Sequence, residues 1–273
     1  MKRFVLLLLC LSLLLSLPLA RAEAPLTLST MDPAQDLKIT LRQILRAAGD
    51  NTREHNHYHT QQGSCTDGTY AYQIMESHTV NKCSLWKYDM SDWSLVKNEY
   101  GIEIDHGNDI AYNPKLGKLV VAHNKPNYQR LSLLDPDTFE IEKSVDLPIK
   151  MYGVTYCESR DQYVVGISGT YDFAILDADF QQVAFYHGQN TGLVKQGMDC
   201  DERYIYFTQN SEDNLINRVQ VYDWEGNFIN YIRVAAYQEI ESMFHVGDEL
   251  YLAFNAGGGY IFKATLAPDN MAR

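Results

Sequence analysis

The sequence predicts an all-β chain built from five repeated units of four short strands. Two observations support this prediction: a repeat of about 44 residues with matching residue types, and an aspartate turn that recurs with nearly the same period. Four strands in about 40 to 45 residues is the spacing of one blade in a β-propeller. We therefore expect a five-bladed β-propeller with a short N-terminal helix.

The first landmark is a Gln-Gly step followed by an aspartate and two tyrosines. It stands at 62–72 and again at 196–206, an offset of 134 residues that is close to three repeats. Between the two copies, Ile-Ala-Tyr-Asn at 110–113 is followed 44 residues later by Val-Thr-Tyr-Cys at 154–157. A fifth copy runs through 243–254. The units therefore begin near Gln62, His106, Lys150, Lys195 and Glu239.

The second landmark is an aspartate that opens a turn and is followed by an aromatic residue. The aspartates are 46, 42 and 46 residues apart. An aspartate can close a hairpin by accepting hydrogen bonds from its own backbone, and the aromatic residue can then pack between neighbouring sheets. The aspartates with their aromatic residues are Asp89 and Trp93, Asp135 and Phe139, Asp177 and Phe180, and Asp223 and Phe228.

The second unit shows how the strands are placed. Its four strands are predicted at Asn108–Asn113, Lys118–His123, Arg130–Leu134 and Glu140–Leu147. The fifth unit ends one strand short. Pairing of residues 25–29 with residues 260–266 would supply that strand and remove two exposed sheet edges.

The predicted N-terminal helix lies between that closing strand and the first unit. Asp32-Pro33 is a plausible helix start, since proline fits the first turn. An approximately helical apolar face follows, formed by Leu37, Ile39, Leu41, Ile44 and Leu45.

The start of the chain has the pattern of a secretory signal peptide. Lys2 and Arg3 precede a leucine-rich run, and Ala20-Arg21-Ala22 offers small residues at the cleavage positions. We expect a signal peptide at 1–22, a closing strand, helix and linker at 23–59, and the propeller at 60–273. The mature protein would then be secreted, periplasmic or extracellular, without a membrane span.

Charge and cysteine content narrow the classes of partner. Removal of residues 1–22 takes away three basic residues and leaves 20 basic against 35 acidic ones, a net charge of −15. A chain with this negative charge is not expected to bind nucleic acid or anionic membranes. We also expect the protein to be a monomer. Four cysteines would remain, and they either form disulfides in one of three connectivities or stay as buried thiols: Cys65, Cys83, Cys157 and Cys200.

Three histidines at alternate positions form a possible metal site. On an extended strand His55, His57 and His59 would face the same side, and imidazoles at that spacing can hold Zn²⁺, Cu²⁺ or Ni²⁺. The alternatives without metal are a solvent-facing linker and histidines that are hydrogen-bonded at a blade mouth. No cofactor is otherwise expected.

A ring of polar side chains is predicted where the innermost strands begin, at one mouth of the channel. These residues could bind a small polar ligand or glycan, with Asp109 and Glu241 as acid and base if the protein is an enzyme. The mixed chemistry of this mouth favours binding of such a ligand, for example a cell-wall fragment, and the alternatives are a glycoside hydrolase-like enzyme and a protein-interaction platform. The predicted ligand-binding residues are Gln62, His106, Asn108, Asp109, Tyr152, Gln196 and Glu241.

The repeated turns of residues 60–266 resemble those of secreted bacterial β-propellers with degenerate repeats, in the style of NHL, YVTN and strictosidine-synthase-like propellers. Members of these groups include hydrolases, lactonases and binding platforms, so the resemblance implies architecture rather than activity. The chain is also similar, more distantly, to five-bladed glycosidases with three carboxylates around the channel. That resemblance would assign those roles to Asp109, Asp199 and Glu241.

Overall fold

The computed structural model describes residues 26–47, 57–77 and 79–270. Every regular secondary-structure element in these ranges is a β-strand, which confirms the all-β prediction. The described residues contain no helix that is long and apolar enough to cross a lipid bilayer. One strand precedes the repeats, β1 (Leu37–Arg46). The first two units contain β2 (Thr60–Thr66), β3 (Tyr70–Ser77), β4 (Lys82–Asp89), β5 (Leu95–Ile102), β6 (Asp109–Asn113), β7 (Lys118–Ala122), β8 (Arg130–Leu134) and β9 (Ile141–Asp146). The strands that follow are β10 (Met151–Cys157), β11 (Gln162–Ile167), β12 (Phe173–Leu176), β13 (Gln182–Tyr186), β14 (Val194–Cys200), β15 (Tyr204–Asn210), β16 (Asn217–Asp223), β17 (Phe228–Val234), β18 (Glu239–Val246), β19 (Glu249–Asn255) and β20 (Gly259–Pro268).

The strands form three four-stranded sheets and one sheet of eight strands. In the three smaller sheets each strand pairs antiparallel with the next one along the chain, as β2 to β5, β6 to β9 and β10 to β13. The larger sheet has the order β14-β15-β16-β17-β1-β20-β19-β18. The strands of the second unit lie within one residue of their predicted ends.

The predicted N-terminal helix is wrong, because its residues form strand β1. Leu37 and Ile39 are buried while Lys38 and Thr40 are more exposed, so burial alternates as in a strand. β1 pairs antiparallel with β20 along its length and parallel with β17 through residues 37–39. Pairing on both sides outweighs the helical apolar spacing.

The strand that completes the last unit is therefore β1, and the predicted donor, residues 25–29, has another role. Pro25 lies outside the described residues. Leu26 makes an isolated antiparallel bridge with Leu266, and the chain then turns, with the Met31 N–H donating to the Thr27 carbonyl. The donor was placed about ten residues too early.

The first strands of the units are neighbours in a cycle. We call β2, β6, β10, β14 and β18 the inner strands; each lies beside the next, and β18 lies beside β2. Apolar side chains fill the space between one sheet and the next, as where Val120 and Leu131 pack against Tyr163 and Val165. This is an arrangement of the β-propeller type.

The recurring aspartate turns have the predicted structure. Asp135 Oδ1 accepts hydrogen bonds from the N–H groups of Asp137 (3.0 Å) and Thr138 (2.9 Å). Phe139 follows with a φ of 66° and is buried, its ring 6.4 Å from that of Tyr72 in the preceding unit. The turn thus closes one hairpin, and the packing of Phe139 against Tyr72 stabilises the contact between two sheets.

Candidate functional site

Asp109 was predicted to bind a ligand, but its carboxyl group is enclosed among the inner strands. Its Oδ2 accepts hydrogen bonds from the N–H groups of Val154 on β10 (3.1 Å) and Met198 on β14 (3.2 Å). Oδ1 accepts from the N–H of Ile110 (3.0 Å). Loss of solvation raises the pKa of this carboxyl group well above its usual range, against the effect of those hydrogen bonds. Asp109 therefore links three inner strands.

Glycines on neighbouring inner strands leave the space that this carboxyl group occupies. A Cβ at Gly63 would lie 2.5 Å from Asp109 Cα, and one at Gly153 would lie 3.2 Å from Asp109 Oδ2. Asp109 on β6 packs so closely against Gly63 and Gly153 that a larger residue at either position would crowd it.

Glu241 stands on β18 and is also buried, with 4% of its surface exposed. Burial raises its pKa well above the usual range, and the nearby acids Glu239 and Asp109 raise it further. A glycosidase needs two carboxyl groups that reach a bound sugar from both sides of the scissile bond. The two acids lie inside the protein instead.

The other predicted ligand-binding residues make contacts within the protein where the inner strands begin, the end that we call the N-terminal mouth. Their polar groups stabilise the channel walls. The contacts are Asn108 Nδ2 to the Tyr152 carbonyl (2.5 Å), Gln62 Nε2 to the Gln61 carbonyl (2.9 Å), Gln196 Nε2 to Asn210 Oδ1 (3.0 Å), His106 Nδ1 to Glu76 Oε1 (3.3 Å), and Lys195 Nζ at 4.4 Å from the centre of the Tyr152 ring.

The predicted metal ligands are only partly within the described residues, since His55 lies outside them. His57 and His59 precede β2 rather than lying on a strand, and His57 Nδ1 is 2.6 Å from Ser77 Oγ. Among the residues that the structure describes, no three His, Cys, Asp or Glu side chains are grouped so that they could hold a metal ion.

A cavity of about 440 Å³ opens at the opposite end of the inner strands, which we call the C-terminal mouth. Its walls combine aromatic and sulfur-containing side chains with carboxylates and one imidazole. The side chains with chemically active groups at this mouth are Cys65, Asp67, Tyr112, Cys157, Glu158, Asp199, Cys200, Asp201, Glu202 and His245.

Two of the carboxylates in this cavity are structural. Asp67 accepts hydrogen bonds from the N–H groups of Thr69 and Tyr70 and from the Tyr72 hydroxyl (2.7 Å). Asp201, 134 residues later, accepts the equivalent hydrogen bonds from the N–H groups of Arg203 and Tyr204 and from the Tyr206 hydroxyl (2.7 Å). The repeated Asp and Tyr positions are thus explained by a turn shared between units.

An ion pair spans the cavity between two inner strands. His245 on β18 places Nδ1 2.7 Å from Asp199 Oδ2 on β14. The Asp199 charge raises the pKa of His245 to about 9, against the opposite effect of burial. Asp199 is therefore paired with a histidine, although its charge also raises the pKa of Asp109, with which the glycosidase resemblance would group it.

Three cysteines line the same cavity, and two of them end neighbouring inner strands. Cys157 is the last residue of β10, and Cys200 is the last residue of β14. The pKa of Cys157 is lowered to about 6. The largest cause is a hydrogen bond from the Cys200 thiol, and hydrogen bonds from Ser159 and the Arg160 N–H act in the same direction. All four cysteines of the described residues are free thiols.

Sequence reasoning missed the chemistry of the C-terminal mouth. It placed the polar ring where the inner strands begin and did not consider His245, Cys157 or Cys200 as site residues. The available signal was that two of five inner strands end in cysteine, at matching positions of the repeat.

No protein-family model matches the sequence, and no curated protein matches it. Similar solved structures include that of U3-55K, at a TM-score of 0.46 and 8% identity over 79% of this chain and 61% of that one. The RRP9 WD40 repeats match at 0.46 and 10% over 78% and 62%. Hydrazine synthase of Kuenenia stuttgartiensis matches at 0.46 and 10% over 75% and 58%. The chain spans less than two thirds of each of these structures, and its assignment to the propeller-type folds rests on its own strand pairing.

Proposed function

We propose that the protein is an exported five-bladed β-propeller that binds a small polar ligand, such as a glycan or cell-wall fragment, at its C-terminal mouth. The cavity of about 440 Å³ carries the proposal, because ligand sites are concave and combine apolar walls with a few polar groups. The cycle of five inner strands supports the blade count. Export follows from the predicted signal peptide at 1–22, and the propeller would occupy 60–273 with its closing strand inside 23–59.

The walls of the cavity favour a ligand rich in hydrogen-bond donors. Glu158 and Glu202 are exposed carboxylates at its rim, and carboxylates accept hydrogen bonds from hydroxyl or ammonium groups. Tyr112 is half-buried and offers an aromatic face of the kind on which sugar rings pack. The excess of acids disfavours phosphates and other anions.

The glycosidase alternative has less support, because Asp109 and Glu241 are buried and occupied by contacts inside the channel. The platform alternative would use the outer rims of the sheets instead of the cavity. Both alternatives give distinct results in the experiment below.

The test is a glycan array followed by calorimetry with the best ligand. A hydrogen bond to a charged group contributes about 1.5–3 kcal/mol, so Glu202→Gln is expected to weaken binding about tenfold or more. Tyr112→Ala is expected to weaken it similarly. The matched control is Glu212→Gln, an exposed acid on the β15–β16 loop, which should bind like the natural protein.

Three outcomes would contradict the proposal. Loss of binding in Asn108→Ala, with Glu202→Gln unaffected, would move the site to the N-terminal mouth. Turnover of chromogenic glycosides that disappears in Asp109→Asn would establish the enzyme. Absence of both binding and turnover across the array would favour the platform.

A further inference from the structure

Cys157 and Cys200 lie at the C-terminal ends of two neighbouring inner strands, β10 and β14, and both line the cavity of the C-terminal mouth. Cys157 Sγ lies 3.6 Å from the carbonyl oxygen of Asp201, the residue that directly follows Cys200. Thr155, two residues before Cys157 on the same strand, places Oγ1 3.5 Å from Cys200 Sγ. These contacts place the two sulfur atoms near one another at the ends of β10 and β14, and the Cys200 thiol is the largest cause of the lowered pKa of Cys157.

The surroundings of the two sulfur atoms differ. Cys157 is approached by Ser159 Oγ (3.4 Å), and Ser159 and Arg160 are both exposed. Cys200 is enclosed, and burial raises its pKa well above the usual range. Cys157 is therefore the more readily ionised of the two thiols, and the thiolate is the form that attacks.

The remaining two cysteines lie in surroundings that disfavour a thiolate. Burial raises the pKa of Cys65 well above its usual range, and Asp109, Asp67 and Asp199 raise it further. Cys83 is buried and donates to the Asp105 carbonyl at 3.2 Å. Their surroundings contrast with those of Cys157, which has the Arg160 charge beside it.

We propose that Cys157 and Cys200 form a thiol–disulfide exchange centre inside the C-terminal mouth, with Cys157 as the attacking sulfur and Cys200 as the resolving one. The co-reactant is a small disulfide, RSSR. The Cys157 thiolate attacks one sulfur of RSSR, which breaks the S–S bond and releases one thiol. Cys200 then loses its proton and attacks the Cys157 sulfur, releasing the second thiol. Two protein thiols are oxidised to one disulfide, and RSSR is reduced to two RSH.

This inference does not depend on the ligand proposed above, because it requires only the two sulfur atoms and access through the cavity. The expected product is a bond between Cys157 and Cys200, which selects one pairing among those that the cysteine count left open. The oxidised mouth would have its third and fourth inner strands covalently joined.

The test uses the full chain with oxidised glutathione as the probe. Peptide mass spectrometry should show a Cys157–Cys200 disulfide in the natural protein, and one glutathione trapped on Cys157 in Cys200→Ser. The variant Cys157→Ser should yield neither product. Cys65→Ala is the matched control, a cavity cysteine whose removal should leave the Cys157–Cys200 product unchanged.

A second measurement keeps the proposal falsifiable if a variant folds poorly. Iodoacetamide at pH 7 should alkylate Cys157 in the natural protein at least tenfold faster than Cys65 or Cys83, with a midpoint near pH 6. Ser159→Ala should raise that midpoint. Faster labelling of Cys65 or Cys83, a midpoint near that of an ordinary thiol, or stable glutathionylation of the natural protein without the internal disulfide would each overturn the proposal.

Discussion

The ion pair between His245 and Asp199 gives a prediction about stability and pH. Its removal by His245→Gln should destabilise the protein most at low pH and least at high pH. The Nδ1–Oδ2 distance is 2.7 Å, and the His245 side chain is 23% exposed, so the charge of Asp199 acts on an imidazole that is mostly shielded from solvent. We therefore expect a larger effect than the exposed ion pairs of this protein would give.

The magnitude follows from the shift in the pKa of His245. The pKa rises from 6.5 to about 9 on folding, and this gap corresponds to at most about 3 kcal/mol. Since the folded-state pKa is the higher one, the stabilisation is complete below pH 6.5 and is lost as the pH rises to about 9. The natural protein and His245→Gln should thus converge in stability between these values.

The titration of Cys157 opposes this trend and has to be removed. The pKa of Cys157 falls from 9.0 to about 6 on folding, so its contribution is complete above pH 9 and is lost as the pH falls to about 6. We would therefore introduce His245→Gln into a Cys157→Ser background and compare the double variant with Cys157→Ser alone. Urea unfolding at pH values from 6 to 9.5 measures the difference in free energy.

A second histidine pair supplies the control. His187 Nδ1 is 3.2 Å from Asp172 Oδ1, but the His187 side chain is 85% exposed, so His187→Gln should change stability by less than about 0.5 kcal/mol at any pH. A difference between Cys157→Ser and the double variant that stays constant from pH 6 to 9.5 would refute the reasoning. It would mean that the ion pair contributes packing without charge.

Three other predictions concern the fold. Asp109→Asn should lower the free energy of unfolding by about 3 kcal/mol in urea titrations, because an amide nitrogen facing the Val154 and Met198 N–H groups cannot accept their hydrogen bonds; an unchanged midpoint would contradict this. Ile39→Ala on β1 should cost about 2–4 kcal/mol, while Gln43→Ala on its exposed side should be neutral in the same assay. His123→Gln should reduce the loss of stability below pH 6.5, since burial lowers the pKa of His123 and its neutral form is favoured in the fold; equal acid sensitivity would argue against it.

The repeats could be predicted because their signals are local. The carboxylate of Asp135 accepts hydrogen bonds from the N–H groups two and three residues later, and the aromatic residue Phe139 comes one residue after these. Both features therefore lie within a short stretch of sequence. The strands of the second unit were accordingly predicted to within one residue. Local turn chemistry repeated at a fixed period is enough to predict the strands.

Strand β1 could not be predicted because its partners are far away. Leu37, Ile39 and Leu41 fit a period of two, while Leu37, Leu41, Ile44 and Leu45 fit a helix equally well. The unpaired edges of β17 and β20, some 200 residues later, decide between them. The same holds for the candidate site, since the partner of His245 lies 46 residues earlier.

The position of β1 also constrains the order in which the chain can fold. Its Leu37 pairs with Pro268 on one side and Ile232 on the other, so this strand, the first among the described residues, has no sheet partner until residues about 195 to 230 positions later have been made. Contacts of such sequence separation are slow to form, because a large loop must close before they contribute any stability. The three four-stranded sheets can form first, whereas the eight-stranded sheet needs both β1 and β20. Until β20 exists β1 keeps an unpaired edge, and this interval is when the chain is most open to aggregation or to capture by a folding factor.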